Sequence, residues 1–340
     1  MRIGNNPAKY GLPAYTPKLL GIATVTFIPL QAGYFQDSLE VFKRMIDSIY
    51  ANTSQEFDLM VIDNGSCKEV QQELIQMYRQ GWITWLGLSQ VNLGKTGALN
   101  WIFGALKNEL ICFSDSDVYF RKGWWKKTAE IMQAFPEAGM VAAQPCFYDV
   151  FEGQGKTEKT LRKMPGASFS EYRPAAKFVD EHSSALGASD ELAAQFRSMI
   201  LTMVEQMDSH TRAVIGSTHM QFVTRSSIIK RVLPLPANMA LYREEDHVLD
   251  QRLDEMGALH LSTLEPYVVH MGNSITPELR FEMANLVHLD SQSKQNESKK
   301  PGKLSWKREL LRKISKNKSI RKRLLSIYQS LFDVVFSEEK

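Results

Sequence analysis

Three apolar runs, two of which lead directly into polar residues, constrain the fold of this chain more than any other feature. They cover residues 19–27, 57–66 and 109–113. Segments with apolar side chains at helical spacing lie between and after them, at residues 39–50, 69–80, 96–107 and 124–134. Nearly continuous apolar strands are typical of a parallel sheet that is covered on both faces. The alternation therefore predicts an α/β fold with a mixed, mainly parallel sheet flanked by helices.

The second half of the chain departs from this alternation. Residues 151–212 are rich in Gly, Ser, Lys and Glu, and we interpret them as an insertion over the candidate site, with a helix over 191–207. The body resumes at residue 213 and includes a strand that ends in PYVVHMGN at residues 266–273. The predicted organisation is one domain over 1–290, a polar linker over 291–302 and a basic helical tail over 303–340.

The formal net charge of +3 conceals a strong asymmetry along the chain. Residues 294–323 contain 13 Lys and Arg side chains and two Glu, so this segment carries +11 and the remainder carries −8. An enzyme that acts on nucleic acid more often spreads basic residues over its central groove. We therefore expect an acidic catalytic body and no nucleic-acid partner.

Residues 303–336 combine basic clusters with apolar side chains at helical spacing, such as Leu324, Ile327 and Leu331. This composition is typical of a helix that lies in a membrane surface. Dimerisation into a homo-oligomer, packing on the body and a solvated tail are the alternatives. No apolar run approaches the roughly 20 residues that cross a bilayer, and residues 1–18 lack the apolar region of a secretory signal. The expected location is the cytoplasm, with peripheral contact at the cytoplasmic face of the membrane.

Carboxylates follow two of the predicted strands, at the edge where open α/β sheets bind ligands. Asp63 either accepts hydrogen bonds from a base or ribose or simply forms the Asp-Asn-Gly turn. Asp115 and Asp117 are one residue apart on an extended segment, so their side chains point the same way. Carboxylate oxygens hold Mg²⁺ or Mn²⁺ while phosphate oxygens complete the coordination. The pair predicts a metal and diphosphate site.

A third polar group, Asn92-Leu93-Gly94-Lys95, leads into the helix that begins near residue 96. A phosphate-binding P-loop needs a glycine at the position of Ser89, so this motif is excluded. Lys95 either approaches a pyrophosphate or is solvated at the helix start.

Four motifs in this order resemble the family-2 glycosyltransferases of the GT-A fold. They are TVTFIP at 24–29, VIDNGS at 61–66, NLGKTGALN at 92–100 and CFSDSDVYFRKGWW at 112–125. The resemblance covers residues 19–273 and is weakest over the insertion. It implies that Asp63 contacts the base, that Asp115 contacts ribose or base-side hydroxyls, and that Asp117 binds the metal that bridges the diphosphate. Asn92, Gly94 and Lys95 then belong to the nucleotide-sugar site.

The resemblance also points to a late acidic motif, Glu245-Asp246 in YREEDH. An inverting transferase needs a general base for the acceptor hydroxyl, and Asp246 is the first candidate with Glu245 second. A helix start rich in acidic residues is the alternative interpretation. His270 lies where some relatives place a histidine that contacts metal or phosphate, although it can equally be structural.

The resemblance predicts an inverting, metal-dependent glycosyltransferase of the hexosyltransferase type. It would use Mn²⁺ or Mg²⁺ to transfer a sugar from a nucleoside-diphosphate-sugar, with a UDP-sugar favoured, to a glycan or lipid-linked acceptor in envelope glycan or polysaccharide synthesis. A sugar nucleotidyltransferase is an alternative, although IPLQAGY at 28–34 lacks its Gly-rich loop. A non-catalytic nucleotide-sugar-binding scaffold is the other alternative.

Overall fold

The structure is a computed structural model that describes residues 15–147, 152–236 and 244–284, with the side chains of 152–155 and 244–245 left out. The predicted linker over 291–302 and tail over 303–340 lie outside these residues, so their predictions stand as they are. Across the described part of the chain, every helix is too short or too polar to traverse a lipid bilayer.

Strands and helices alternate through the first half of the chain, as predicted. The strands are β1 (Leu20–Thr26), β2 (Phe57–Asp63), β3 (Trp85–Leu88), β4 (Leu110–Asp115), β5 (Val118–Phe120) and β6 (Ala138–Ala142). The helices are α1 (Ser38–Asn52), α2 (Lys68–Arg79), α3 (Gly94–Ala105) and α4 (Trp124–Ala134). The short strand β5 was not predicted.

The apolar character of β1 follows from helices that cover both faces of the sheet. Ile22 packs into a core with Phe42 of α1, whereas the next residue, Ala23, packs into a second core with Leu99 of α3. Alternate residues of a strand point to opposite faces, so a strand with two covered faces must be apolar throughout. This arrangement confirms the sheet flanked by helices.

The second half of the chain adds the remaining elements. The helices are α5 (Glu152–Leu161), α6 (Ala176–Ala185), α7 (Asp190–Ser198), α8 (Ser226–Ile229), α9 (Glu244–Glu255) and α10 (Pro277–Met283). The strands are β7 (Ala167–Tyr172), β8 (Leu201–Gln206), β9 (Thr211–Ile215), β10 (Gln221–Arg225), β11 (Leu259–Ser262) and β12 (Val268–His270).

The predicted helix over 191–207 is wrong in its second half. Helix α7 ends at Ser198, and β8 follows at Leu201 because it pairs with β7 on one side and with β9 on the other. Strand pairing over long distances overrides local helical propensity here. Residues 151–212 therefore extend the main sheet as well as contributing helices.

Ten strands form one sheet in the order β3-β2-β1-β4-β10-β6-β11-β9-β8-β7. The pairings make seven of them run in one direction, while β7, β9 and β10 run in the other. Because β10 is antiparallel to β4, the start of β10 lies at the carboxyl end of β4. A separate pair, β5 with β12, sets His270 opposite Val118.

A buried histidine makes the stability of this fold depend on pH. His182 of α6 lies among Phe147, Phe178 and Phe196, with ring centroids 5.0 to 5.9 Å away, and burial lowers its pKa to about 4. Below the ordinary pKa of about 6.5, His182 is protonated in the unfolded chain, whereas it stays neutral in the folded chain down to its lowered pKa. His182 should therefore remove about 2 kcal/mol of stability between pH 7 and pH 5.

We expect His182→Leu to remove that part of the pH dependence. The wild-type melting temperature should fall between pH 7 and pH 5 by about 5 °C more than that of the variant, as measured by circular dichroism. His210→Asn is the matched control, because His210 is exposed and its φ of 52° suits asparagine. Equal pH slopes for wild type and His182→Leu would contradict the assignment.

Candidate active site

The carboxyl end of β4 presents the Asp115 and Asp117 side chains to one cleft. The backbone N–H of Asp115 donates to the carbonyl of Met220, 2.7 Å away, which joins this strand end to the start of β10. About a third of each aspartate side chain is accessible. The prediction of one extended segment is wrong for Asp117, because β4 ends at Asp115 and Asp117 lies in the turn before β5.

His270 is brought to this pair by the β5–β12 ladder. Its Nε2 lies 3.2 Å from Oδ2 of Asp117, and the N–H of Met271 donates to the Asp117 carbonyl over 2.7 Å. Burial acts to lower the pKa of His270, but the hydrogen bond and charge of Asp117 outweigh it and raise that pKa overall. Two residues 153 positions apart in the sequence therefore form one polar pair.

Lys95 places a positive charge beside the carboxylate of Asp115. Its Nζ lies 3.5 Å from Oδ1 of Asp115. Burial raises the pKa of Asp115, the positive charges of Lys95 and His270 oppose this, and the negative charges of Asp117 and Asp246 add to it. These five charged groups therefore share one electrostatic environment.

The loop before Lys95 is held against the end of β2 by amide contacts. Asn64 accepts from the N–H of Leu93 at 2.8 Å and donates to Oδ1 of Asn92 at 3.0 Å. Gly65 has φ +95°, and a Cβ there would lie 3.1 Å from the Asn92 nitrogen, so the close approach favours glycine. Gly94 has φ +72°, again in the left-handed region. Asn92 and Gly94 thus shape the start of α3, which carries Lys95.

Asp63 is fully buried at the end of β2 and has local partners. Its carboxylate accepts from the Ser66 N–H at 3.2 Å and from Nε2 of Gln71 at 2.7 Å. These contacts fit the turn-forming interpretation, and the contact with a base stays a prediction.

Asp246 reaches the same cleft from the first turn of α9. Its Oδ1 lies 3.3 Å from Nδ1 of His219, and a quarter of its side chain is accessible. Glu245 precedes it in the helix, but its side chain lies outside the described residues. The Asp246 carboxylate lies close enough to Asp115 for its charge to raise the pKa of Asp115.

His219 and Asp250, which lie close to Asp246, were not predicted as site residues from the sequence. His219 lies in the loop between β9 and β10, and its Nε2 is 3.0 Å from Oδ2 of Asp250. In the sequence, His219 lies two residues before a strand, and Asp250 lies one helical turn after Asp246. Neither indicates a site until the sheet order brings β10 beside β4.

The donor set at the cleft fits a divalent ion shared with a phosphate ligand. Within the described ranges, no group of three or more His, Cys, Asp or Glu side chains is arranged to hold a metal by itself. Asp117 and His270 offer an oxygen and a nitrogen, and Asp115 lies beside them. Hard divalent ions often use one or two carboxylates and take their other ligands from substrate phosphates. A two-residue site of this kind suits that mode of binding.

Comparison with known proteins finds similarity to glycosyltransferases over part of the chain. Residues 35–200 match the model described as Glycosyl transferase family 2. A curated relative, the uncharacterized glycosyltransferase alr2836 of Nostoc sp. strain PCC 7120, is 25% identical over 114 residues, and the match spans 34% of each chain.

Two solved structures are similar at low identity. TarS 1–349 of S. aureus is 12% identical with a TM-score of 0.42, over 77% of this chain and 62% of that one. Mannosyltransferase PcManGT of Pyrobaculum calidifontis, solved with GDP-Man and Mn²⁺, is 12% identical with a TM-score of 0.41, over 78% and 56%. The chain thus spans less than two thirds of either structure. Residues 35–200, just under half of this chain, are therefore similar to the family-2 glycosyltransferases.

Proposed function

We propose that this protein is an inverting glycosyltransferase that uses a divalent metal, Mn²⁺ or Mg²⁺, and a nucleoside-diphosphate-sugar. A UDP-sugar is the favoured donor, and an acceptor hydroxyl receives the sugar as a hexosyl group. The observation that carries the proposal is the meeting of Asp117 and His270 at the carboxyl end of β4, with Lys95 beside Asp115. We propose that these groups bind the diphosphate of the donor.

Residues on one side of the cleft would bind the donor, and Asp246 on the other side would act on the acceptor. Asp117 and His270 would hold the metal, and a divalent ion there would offset the charge that develops on the leaving diphosphate. Lys95 would add a positive charge on the diphosphate side, and Asp115 would contact the ribose. Asn64 would keep the loop at Asn92 and Gly94 in place, and Asp63 would contact the base.

Asp246 would act as the general base on the acceptor side. The acceptor hydroxyl would pass its proton to the carboxylate of Asp246 while its oxygen forms the bond to the anomeric carbon. The bond between that carbon and the diphosphate oxygen would break, and its electron pair would leave with the diphosphate. Attack opposite the leaving group inverts the configuration, and a base within hydrogen-bond reach assists it.

The acceptor and the location are proposed from the rest of the chain. We propose a glycan or lipid-linked acceptor, as in envelope glycan or polysaccharide synthesis, because the basic segment 303–336 has the composition of a helix at an anionic membrane surface. Peripheral attachment at the cytoplasmic face would bring the cleft to such an acceptor.

A binding screen tests the donor part of this proposal. The melting temperature of the purified protein is measured with UDP, GDP, TDP and CMP, each with Mn²⁺, Mg²⁺ or EDTA. A ligand that binds only the folded state at 100 times its Kd adds about 2.7 kcal/mol of stability. We expect the largest increase with UDP and metal, and none with EDTA. No increase with any nucleotide would refute the proposed donor site.

A further inference from the structure

Asp246 is the outer end of a row of acidic and histidine side chains that runs into the protein. Asp246, Asp250 and Asp254 are four residues apart on α9, so they share one face of the helix. His219 lies between the first two carboxylates and His260 of β11 lies between the second two. Carboxylate and imidazole alternate along the whole row.

The shortest contact in this row is the one between His219 and Asp250. His219 lies 3.3 Å from Asp246 through Nδ1 and 3.0 Å from Asp250 through Nε2. The next contact, from Nδ1 of His260 to Oδ1 of Asp250, measures 3.5 Å. The His219 side chain is 10% exposed and that of Asp250 is 6% exposed. The imidazole ring of His219 is thus fixed by two carboxylates in a nearly closed space.

The backbone fixes the loop that carries His219 from two directions. The carbonyl of Met220 accepts from the N–H of Asp115, and the N–H of Gly216 donates to the carbonyl of His260 over 2.8 Å. The loop is therefore tied to the strand end of the metal side and to β11.

The charges around His219 favour a ring that donates from both nitrogens. Burial acts to lower the pKa of His219, but the carboxylates of Asp250 and Asp246 outweigh burial and the opposing charge of Lys95, so the pKa is raised overall. Burial acts to raise the pKa of Asp250, but the charge and hydrogen bond of His219 lower it overall. Both partners are thereby stabilised in their charged forms.

We propose that His219 is a positioning residue for the general base. It donates from Nδ1 to Oδ1 of Asp246, which leaves Oδ2 to take the proton of the acceptor hydroxyl, while Asp250 fixes the orientation of the ring. This inference rests on the proposed function, because it assigns His219 a role in the same transfer step. Asp250 acts through His219 and contacts no reacting atom.

Two conservative variants separate positioning of Asp246 from a merely structural role. In His219→Asn the side-chain amide replaces the Nδ1 donor toward Asp246, and in His219→Gln it replaces the Nε2 donor toward Asp250. Steady-state kcat and donor KM are measured for both, for His219→Ala, and for the exposed control His210→Asn.

We expect kcat to fall by on the order of 10²-fold in the Ala and Gln variants, since a small misplacement of a reacting group has an effect of that size. The kcat of His219→Asn should be at least about tenfold higher than that of His219→Ala. Donor KM and metal-dependent nucleotide binding should change by less than about twofold, because the interaction acts on the transition state. In an Asp246→Asn background the same substitutions should have no further effect on kcat.

If His219→Gln had a kcat as high as that of His219→Asn, the inference would be overturned. That result would show that only the hydrogen bond to Asp250 matters. Wild-type kcat in all three variants would also overturn it. If His219→Ala does not fold, the Asn and Gln pair decides alone, since both retain a polar side chain. A wild-type protein that turns over no donor would refute the proposed function instead, and this inference would fall with it.

Discussion

Replacing Asp117 by Asn should abolish metal-dependent nucleotide binding and lower turnover by at least about 10³-fold. The change keeps the shape of the side chain but removes the charge of the oxygen that lies 3.2 Å from His270. Electrostatic stabilisation by a metal amounts to several kcal/mol, and each 1.36 kcal/mol corresponds to about a factor of ten in rate. Calorimetric titration of the nucleotide with Mn²⁺ and a turnover assay measure the two effects.

The fold of the Asp117→Asn variant should be unaffected. The ion pair with His270 is partly exposed, and such pairs contribute about 1 kcal/mol or less to stability. Asp208→Asn is the matched control, because Asp208 lies exposed between β8 and β9. An Asp117→Asn variant that binds nucleotide and metal like the wild type would show that the metal lies elsewhere.

Replacing Asp246 by Asn should stop transfer and spare donor binding. Loss of a general base typically lowers kcat by about 10²- to 10⁴-fold, and the amide cannot accept the proton of the acceptor. Nucleotide affinity should remain within about twofold of wild type because Asp246 acts on the acceptor side. We therefore expect opposite patterns for the two variants, because Asp117→Asn should lose nucleotide binding and Asp246→Asn should retain it.

Glu245→Gln is the matched comparison for Asp246→Asn. The two residues are adjacent in the first turn of α9, so a general effect of charge near that helix end would act on both variants alike. We expect the Glu245→Gln variant to retain most of its activity. Retention by Asp246→Asn with loss in Glu245→Gln would transfer the role of base to Glu245.

These two patterns also separate the remaining alternatives. A non-catalytic scaffold would bind nucleotide through Asp117 but would show no turnover for Asp246→Asn to remove. A sugar nucleotidyltransferase would form a nucleotide-sugar from a nucleoside triphosphate and a sugar phosphate, whereas a transferase releases a nucleoside diphosphate. Product analysis of the wild type distinguishes the three.

The sequence predicted the parts of the fold and site that depend on local order. Asp115 and Asp117 follow an apolar strand directly, and the strand end alone indicates where their carboxylates must lie. The helices and strands of the first half were predicted for the same reason, because helical and strand periodicities alternate within short segments.

Residues joined by long-range pairing could not be predicted in the same way. The contact between His219 and Asp246 depends on β10 lying antiparallel to β4, and no local pattern encodes that position. The pairing of β8 with β7 and β9 likewise replaced the second half of the helix predicted over 191–207. His270 was proposed by resemblance alone, and the β5–β12 ladder that brings it to Asp117 became visible only in the structure.

Donor turnover by the wild-type protein tests the central claim most directly. The purified chain is incubated with UDP-, GDP- and TDP-sugars and excess Mn²⁺, and the release of nucleoside diphosphate is followed before and after removal of metal by EDTA. We predict release from one nucleotide class, with UDP favoured, that stops with EDTA and returns when Mn²⁺ or Mg²⁺ is added. Release that is unchanged by EDTA would contradict the metal site at Asp117 and His270, and no release from any donor would contradict the assignment of the transferase reaction.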